Sequence, residues 1–426
     1  MYKIAFISEH ASPLASLGGT DSGGQNVYVS ELALQLAEMG YLIDVFTRRE
    51  DVDIPTVVEV RSGLRVIHID AGPAIPVIKE NLLPFMEQFQ NEMISFTIRQ
   101  NENYHLIHAN FWMSGLVAMG IKRLLGIPFV ITFHALGHVR KIHQKENDKF
   151  PAQRVYIEEE IARNADRIIS ECPQDQQDLL NHYLADPAKI AMVPCGFNPT
   201  EFYPLDQVGA RAFLNIDGDE KIVLQLGRIV PRKGIDNVIR AMAILKEQGV
   251  KVKLIVVGGE SPQVGAKGSQ ELIRLQKLAS ELGVTETVNF AGRQDRALLK
   301  QYYNAADIFV TTPWYEPFGI TPLEAMACGT PVIGADVGGI KFTVLEGKTG
   351  LLVIPDQPRM LSDRIALLLD NQKLRTDMGN NALQHVTLNF TWHKVALQLL
   401  QVYHEILQPV NTAVVPLVFN ERGYGS

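Results

Sequence analysis

The chain has 426 residues, 46% of them hydrophobic and 20% charged, an ordinary globular composition that at about 150 residues per domain implies two or three domains. This excludes a disordered chain, a collagen-like repeat and a coiled-coil rod. With 40 basic and 47 acidic residues the net charge is -7, so no global basic field points to nucleic acid, and positive charge for an anionic substrate must be concentrated locally.

Short β-branched runs alternate with helical patterns along the whole chain. Residues 2–7, 41–47, 64–69, 105–109, 129–133 and 167–170 read as strands, several apolar throughout, as strands covered on both faces of a parallel sheet are. Between the first two, Val29, Leu32, Ala33 and Leu36 fall on one helical face, completing a βαβ unit. After the proline-marked stretch Phe202-Tyr203-Pro204-Leu205 a second series begins, with strands at 221–226, 253–257, 287–290, 307–311, 331–334 and 350–354. Its first helix, 235–246, carries Ile235, Val238, Ile239, Met242 and Leu245 on one face. Two successive β/α series predict an α/β protein of two doubly wound, Rossmann-like domains, residues 1–205 and 206–390, facing each other across a cleft. A last helix is expected at about 391–407.

Three cysteines, Cys172, Cys195 and Cys328, form no CxxC pair, which argues against a disulfide framework or zinc cluster and fits a reducing cytoplasm. The amino end lacks the form of a signal peptide, and no apolar run approaches the ~20 residues of a membrane span.

Ligands of open parallel sheets bind beyond the carboxyl ends of the strands, and the unusual residues of this chain lie there. After the first strand, Gly18-Gly19 and Gly23-Gly24 precede a helix starting near Gln25. Glycines at a helix start let backbone N–H groups approach an anion; the spacing is not GxGxxG, and the alternative reading is a flexible connector. His134 ends the fifth strand, as either a structural hydrogen-bonding residue or a site residue. Downstream, Arg140, Lys141, Lys145, Lys149 and Arg154 form a basic stretch interrupted by Glu146 and Asp148, either a solvated face or an acceptor-phosphate site. In Gly227-Arg228-Ile229-Val230-Pro231-Arg232-Lys233-Gly234 the cations could neutralise a diphosphate leaving group. The triplets Asp51-Val52-Asp53 and Asp217-Gly218-Asp219 could suggest a metal on a diphosphate, yet both read as turns.

The segment from Glu316 to Glu324 is the most informative. Gly319, Ile320 and Thr321 lead into a helix with Pro322 in its first turn, whose free N–H groups point outward. Thr321-x-x-Glu324 has the form of a capping box. Glu316 has no such structural use, and its carboxylate could accept hydrogen bonds from sugar hydroxyls.

Glu316-Pro-Phe-Gly-Ile-Thr-Pro-Leu-Glu324-Ala-Met-Ala-Cys-Gly-Thr-Pro-Val resembles the Glu-x7-Glu signature of the retaining family-4 glycosyltransferases. Gly227-Arg228, Lys233-Gly234 and the loop from Gly23 to Tyr28 are similar to further motifs of that family, and the likeness extends to Phe390-Thr391-Trp392. Within it the chain resembles sucrose-phosphate synthases, sucrose synthases and the glycosyltransferase of mycothiol synthesis. The resemblance implies a GT-B fold, a nucleotide diphosphate sugar (UDP-glucose first) as co-substrate, no cofactor or catalytic metal, and a last segment, about 391–426, that crosses back to the first domain. It implies that Arg228 and Lys233 hold the donor diphosphate, Glu316 the donor-sugar hydroxyls and Glu324 the ribose. Gly23, Gly24 and the backbone of Gly319, Ile320 and Thr321 would lie at the donor, Arg293 at the base and His134 at the transferred sugar. Lys79 and Arg154, with Lys141 nearby, would bind an acceptor phosphate, fructose 6-phosphate first. The mycothiol enzyme carries tyrosine where this chain has Phe111 and threonine where it has Ala135, so two hydroxyls for an inositol phosphate are missing. His134-Ala135-Leu136-Gly137 is closer to the sucrose enzymes.

Overall fold

The computed structural model describes residues 2–15, 23–259, 261 and 269–407. The first sheet contains β1 (Lys3–Ile7), β2 (Leu42–Arg48), β3 (Val57–Arg61), β4 (Leu64–Ile69), β5 (Leu106–Asn110), β6 (Phe129–Thr132), β7 (Arg167–Ser170) and β8 (Ile190–Met192). Their order is β3-β4-β2-β1-β5-β6-β7-β8, parallel except for the antiparallel β3–β4 pair. The second contains β9 (Ile222–Leu226), β10 (Lys253–Val257), β11 (Val288–Gly292), β12 (Ile308–Thr311), β13 (Val332–Ala335) and β14 (Gly350–Val353). It runs β11-β10-β9-β12-β13-β14 and is parallel.

Both sheets are doubly wound, so each has a switch point where the strand order reverses: β1/β5 in the first, β9/β12 in the second. The central strands β5 and β9 are buried along their whole length, which explains their largely apolar sequence, broken only by the buried His108, Asn110 and Gln225. Burying each such Leu, Ile or Val side chain contributes about 1.5–3 kcal/mol. Every expected strand is present. Two edge strands were not expected from the sequence: β3, mostly exposed with Glu59 and Arg61, and the three-residue β8. Edge strands lack a buried face, so hydrophobic periodicity does not mark them.

The helix Gly24–Glu38 buries Val29, Leu32, Ala33 and Leu36 as expected, and also Val27, Tyr28 and Glu31. The helix Trp392–Leu407 follows the second domain and packs on Gly24–Glu38, while Glu31 faces Asn198. Tyr28 and Trp392 meet edge to face with ring centres 5.9 Å apart, and Tyr403 Oη lies 2.6 Å from His108 Nδ1 on β5. Of the segment 391–426, residues 408–426 lie outside the described residues. Two chain crossings run side by side: Phe197 N–H donates to Phe390 O at 2.8 Å and Trp392 N–H to Phe197 O at 3.1 Å. A Cβ on Gly196 would come within 2.9 Å of Phe390 O and Trp392 N, so only glycine lets the strands touch.

Candidate active site

The two switch points border one cleft of about 370 Å³ between the domains, within the size range of small-molecule sites. From the first domain come His10, the start of the helix Gly24–Glu38, Lys79, Phe111, His134, Ala135 and Arg140. From the second come Gly227 to Val230, Arg232, Lys233, Gly258, Gly259, Arg293, Arg296 and the segment from Tyr315 to Thr321 with Glu324.

Gly23 caps the helix Gly24–Glu38, its N–H donating to Asn26 Oδ1 at 2.9 Å. A Cβ there would lie 3.7 Å from Arg228 Nε, so this turn from the first domain comes close to a cation of the second. The nearby Gly18-Gly19 pair lies outside the described residues.

His134 sits two residues past the end of β6 with a positive φ of 57°, and Phe111, after β5, has φ 83°. Non-glycine residues in this region are strained and are retained where surrounding structure over-determines them. Here the restraint is visible. His134 Nδ1 is 3.1 Å from Glu171 Oε1 and Nε2 3.2 Å from Asn110 Oδ1, with Tyr28 edge-on at 4.7 Å.

On the opposite wall, Gly227 (φ 145°) and Gly234 (φ 64°) bracket the basic loop after β9. A Cβ on Gly234 would fall 2.1 Å from Thr312 O, which fixes this loop against the one after β12. Lys233 Nζ donates to Glu316 Oε2, and Arg232 Nη1 donates to the same oxygen at 3.1 Å and to Tyr315 O at 3.0 Å. Burial pushes the Glu316 carboxyl up, but Lys233 and Arg232 outweigh it and hold the group at about 2. Burial lowers the Lys233 ammonium to about 8 against the pull of Glu316. The Glu316 loop rests on Gly338-Gly339: a Cβ on Gly338 would lie 1.9 Å from Glu316 O, and one on Gly339 2.4 Å from Phe318 O.

Gly319 caps the helix Ile320–Ala327 with φ 92° and no side-chain cap bond. The expected capping box is thus absent. Glu324 instead accepts from Arg296 Nη1 at 3.0 Å and from Tyr303 Oη at 2.9 Å, while burial raises its carboxyl despite Arg296. The helix starts one residue before Thr321, too early for a box based on that residue. Arg293 follows β11 and borders the cleft, its N–H donating to Ser261 O at 2.9 Å.

Two acceptor-side expectations need correction. Lys141 is exposed on the helix Gly137–Gln144 and does not border the cleft, because the preceding residue, Arg140, occupies the inward position. Arg154 is 1% exposed and lies beneath the cleft wall, enclosed by Phe111, Trp112 and Phe150 at 5.1, 5.7 and 4.4 Å from its guanidinium. Its Nε donates to Glu158 Oε1 at 2.7 Å, so its charge is already matched. Both aspartate triplets are turns in which the first carboxylate accepts from the third N–H, at 3.0 Å for Asp51 and 3.1 Å for Asp217.

Sequence reasoning gave Arg232 no role beyond the charge of its loop and missed Arg296, His10 and the Gly338-Gly339 pair. Arg232 and the glycines had a usable signal, since both follow strand ends. Arg296, at the start of a helix, had none. A second recess of about 270 Å³ shares Tyr315, Glu316 and Pro317 with the cleft. There the domains touch, with His143 stacked on Tyr315 at 5.2 Å and Lys341 Nζ donating to Gln174 at 3.1 Å.

Two facing doubly wound domains, joined by paired crossings around a cation-lined cleft, define a glycosyltransferase of the GT-B class. The description "Glycosyltransferase Family 4" matches residues 22–201 and "Glycosyl transferases group 1" matches residues 208–385. The D-inositol 3-phosphate glycosyltransferase of Corynebacterium glutamicum is 36% identical over 416 residues, covering 96% of this chain and 98% of that protein. The protein of the same name from Nocardia farcinica is 37% identical over 410 residues, covering 95% and 90%. Among solved structures, the sucrose-phosphate synthase of Thermosynechococcus elongatus superposes with a TM-score of 0.88 at 36% identity, covering 96% of this chain and all 100% of that one. Anabaena HepE in complex with UDP-glucose, at 20% identity and a TM-score of 0.75, covers 95% of this chain and 100% of its own and shares the fold. The chain belongs to the group 1, family 4 glycosyltransferases, enzymes that take a glycosyl group from a nucleotide sugar. No helix among the described residues is long and apolar enough to cross a membrane.

Proposed function

We propose that the enzyme transfers a hexosyl group from UDP-glucose to fructose 6-phosphate with retention, giving sucrose 6-phosphate, and that it needs no catalytic metal. The observation that carries this reading is the presence of two separate groups of cations on opposite walls of one cleft. Arg228, Arg232 and Lys233 suit a donor diphosphate, and Lys79 together with Arg140, whose Nη2 lies 3.2 Å from Asp148 Oδ1 but which still borders the cleft, suits an acceptor phosphate. Arg154 lies behind the acceptor pair and steadies its wall. Phe111 and Ala135, which border the acceptor side, offer no side-chain hydroxyl to an inositol phosphate.

In the proposed reaction the acceptor approaches the face from which the diphosphate leaves. The bond from the anomeric carbon to the leaving phosphate oxygen breaks as the bond to the acceptor oxygen forms. The leaving oxygen takes the acceptor proton, so no side chain acts as nucleophile. Arg228 and Lys233 stabilise the developing charge, and Arg232 keeps Glu316 ionised for the sugar hydroxyls when Lys233 turns to phosphate. Gly24, Gly319, Ile320 and Thr321 supply backbone N–H groups, with Gly23 allowing close approach beside them, while Arg293 meets the base, Glu324 the ribose and His134 the transferred hexose.

A second reading is favoured by the names of the 36%-identical relatives: transfer of a hexosyl or N-acetylhexosaminyl group to inositol 3-phosphate. The deciding experiment offers UDP-glucose and UDP-N-acetylglucosamine to fructose 6-phosphate, fructose and inositol 3-phosphate, with and without EDTA. Sucrose 6-phosphate formed in EDTA supports the proposal. Equal use of fructose and its phosphate refutes the phosphate site, and product from inositol phosphate alone selects the second reading. Donor rearrangement without acceptor would indicate an epimerase, and binding without any turnover a sensor.

A further inference from the structure

We propose that Arg296 is a positioning residue for the donor nucleotide, tying the ribose-side carboxylate Glu324 to the segment that joins the two domains. The proposal rests on the assignment of Glu324 to the ribose.

Arg296 opens the helix Arg296–Ala305 and borders the cleft. Its Nη1 donates to Glu324 Oε1 at 3.0 Å and its Nε to Glu201 Oε2 at 2.6 Å. Its Nη2 is enclosed and has no hydrogen-bond partner, and the guanidinium lies 4.9 Å from the Phe202 ring centre. Glu201 and Phe202 belong to the connector between β8 and β9, and Glu201 does not border the cleft. In the same connector, Asn198 Nδ2 lies 3.4 and 3.3 Å from the two carboxylate oxygens of Glu31. Glu31 is on the helix whose first turn, Gly23 and Gly24, borders the donor wall. One guanidinium thus touches both the donor site and the connector, and the connector touches the opposite domain.

The planar guanidinium presents its N–H groups in a fixed fork. It can satisfy Glu201 and Glu324 together only while these two carboxylates keep their present spacing. With one oxygen of Glu324 bound to Arg296 and the other to Tyr303, the carboxylate cannot rotate, and one lone pair on each oxygen remains for the two hydroxyls of a ribose. Displacement of the connector therefore pulls on the group that grips the nucleotide. A residue outside the cleft, Glu201, should consequently affect nucleotide affinity.

The test measures binding of UDP, ADP and inorganic pyrophosphate to the full-length protein by calorimetry. It compares wild type with Arg296→Met, Arg296→Lys, Glu201→Gln and Glu324→Gln, and melting curves confirm folding. Loss of a charge-assisted bond to Glu324 should weaken nucleotide binding by about 10-fold or more, leave pyrophosphate within about two-fold of wild type, and be partly restored in Arg296→Lys. Glu201→Gln should weaken the nucleotide several-fold by the same selective pattern. If Glu324→Gln weakens the nucleotide while Arg296→Met and Glu201→Gln do not, the positioning role is wrong and the ribose assignment stands. If Glu324→Gln also has no effect, both are wrong. Equal weakening of nucleotide and pyrophosphate would reveal a merely structural arginine and overturn the proposal. Should Arg296→Met not fold, Glu201→Gln decides alone.

Discussion

Lys233 and Glu316 set each other's charge, and the result is legible in the pH dependence of activity. Glu316, held at about 2, is ionised throughout the neutral range. Lys233, lowered by burial to about 8, carries its proton below that pH and loses it above. On the proposed role of Lys233 its ammonium form, and not the neutral amine, stabilises the leaving diphosphate, so kcat/KM should be flat below about pH 8 and fall about tenfold per pH unit well above it. In Lys233→Arg the charge persists, so this alkaline limb should vanish even if the plateau is lower; an unchanged limb would assign it to another group. Lys233→Ala should lower kcat by about 10²-fold or more, as loss of about 3 kcal/mol of charge stabilisation requires. Arg154 differs in kind. Replacing it with Met leaves the buried Glu158 without its countercharge, held only by Gly137 N–H and Tyr183 Oη, and should destabilise the protein by about 3–5 kcal/mol, read as a lowered denaturation midpoint. A variant with wild-type stability but a raised KM for the acceptor alone would restore Arg154 to the acceptor site.

At the scale of elements, the site is built from strand ends whose geometry demands particular residues. Gly234 starts the helix Ile235–Glu247 in the left-handed region, with Thr312 O where a Cβ would stand. Gly234→Ala must push the loop after β9 away from that after β12, carrying Arg232 and Lys233 off Glu316. It should cost more than about 1 kcal/mol from the backbone conformation alone and raise the donor KM; full stability with unchanged donor KM would show that the loops are not coupled. The glycine was visible in the sequence, but its partner was not, because Gly234 and Thr312 meet only through the pairing of β9 with β12. For the same reason Thr321-x-x-Glu324 read as a cap. Local spacing favoured it, while Arg296 and Tyr303, brought in by a separate helix, took the carboxylate.

Across the whole molecule, the connector and the crossover helix bind the domains into one unit, and Glu31 records the cost. Burial, with a smaller effect from Glu201, raises its carboxyl from 4.5 to about 7. Between those values the folded chain keeps a proton that the unfolded chain has released, so stability falls as pH rises from 4.5 to about 7 and stays reduced above. The displacement corresponds to at most about 3 kcal/mol. Glu31→Gln preserves an acceptor for Asn198 and removes the ionisation, so it should raise the melting temperature at pH 8 and have little effect at pH 5. A variant equally or less stable than wild type at pH 8 would contradict this.

The sequence alone determined the two β/α series, the strand ends where ligands bind, and the segment from Glu316 to Glu324. These are written in local periodicity and in glycine and proline placement, which act over a few residues. It also showed His134, Arg228, Lys233 and Arg293 just after strands, while Lys79 was marked only by the family resemblance. Only the tertiary structure decided which cations face the cleft. Arg140 rather than Lys141 points inward, and Arg154 is buried against Glu158. Arg232 joins Lys233 on Glu316, and Arg296 links Glu324 to the connector. A charged residue in a loop has no periodicity to betray its direction, and its role depends on which carboxylate, ring or backbone oxygen the fold brings beside it. Glu158 lies one helical turn from Arg154, but Glu316 lies 83 residues from Lys233 and Glu201 95 from Arg296, distances in the chain that only the packed sheets close.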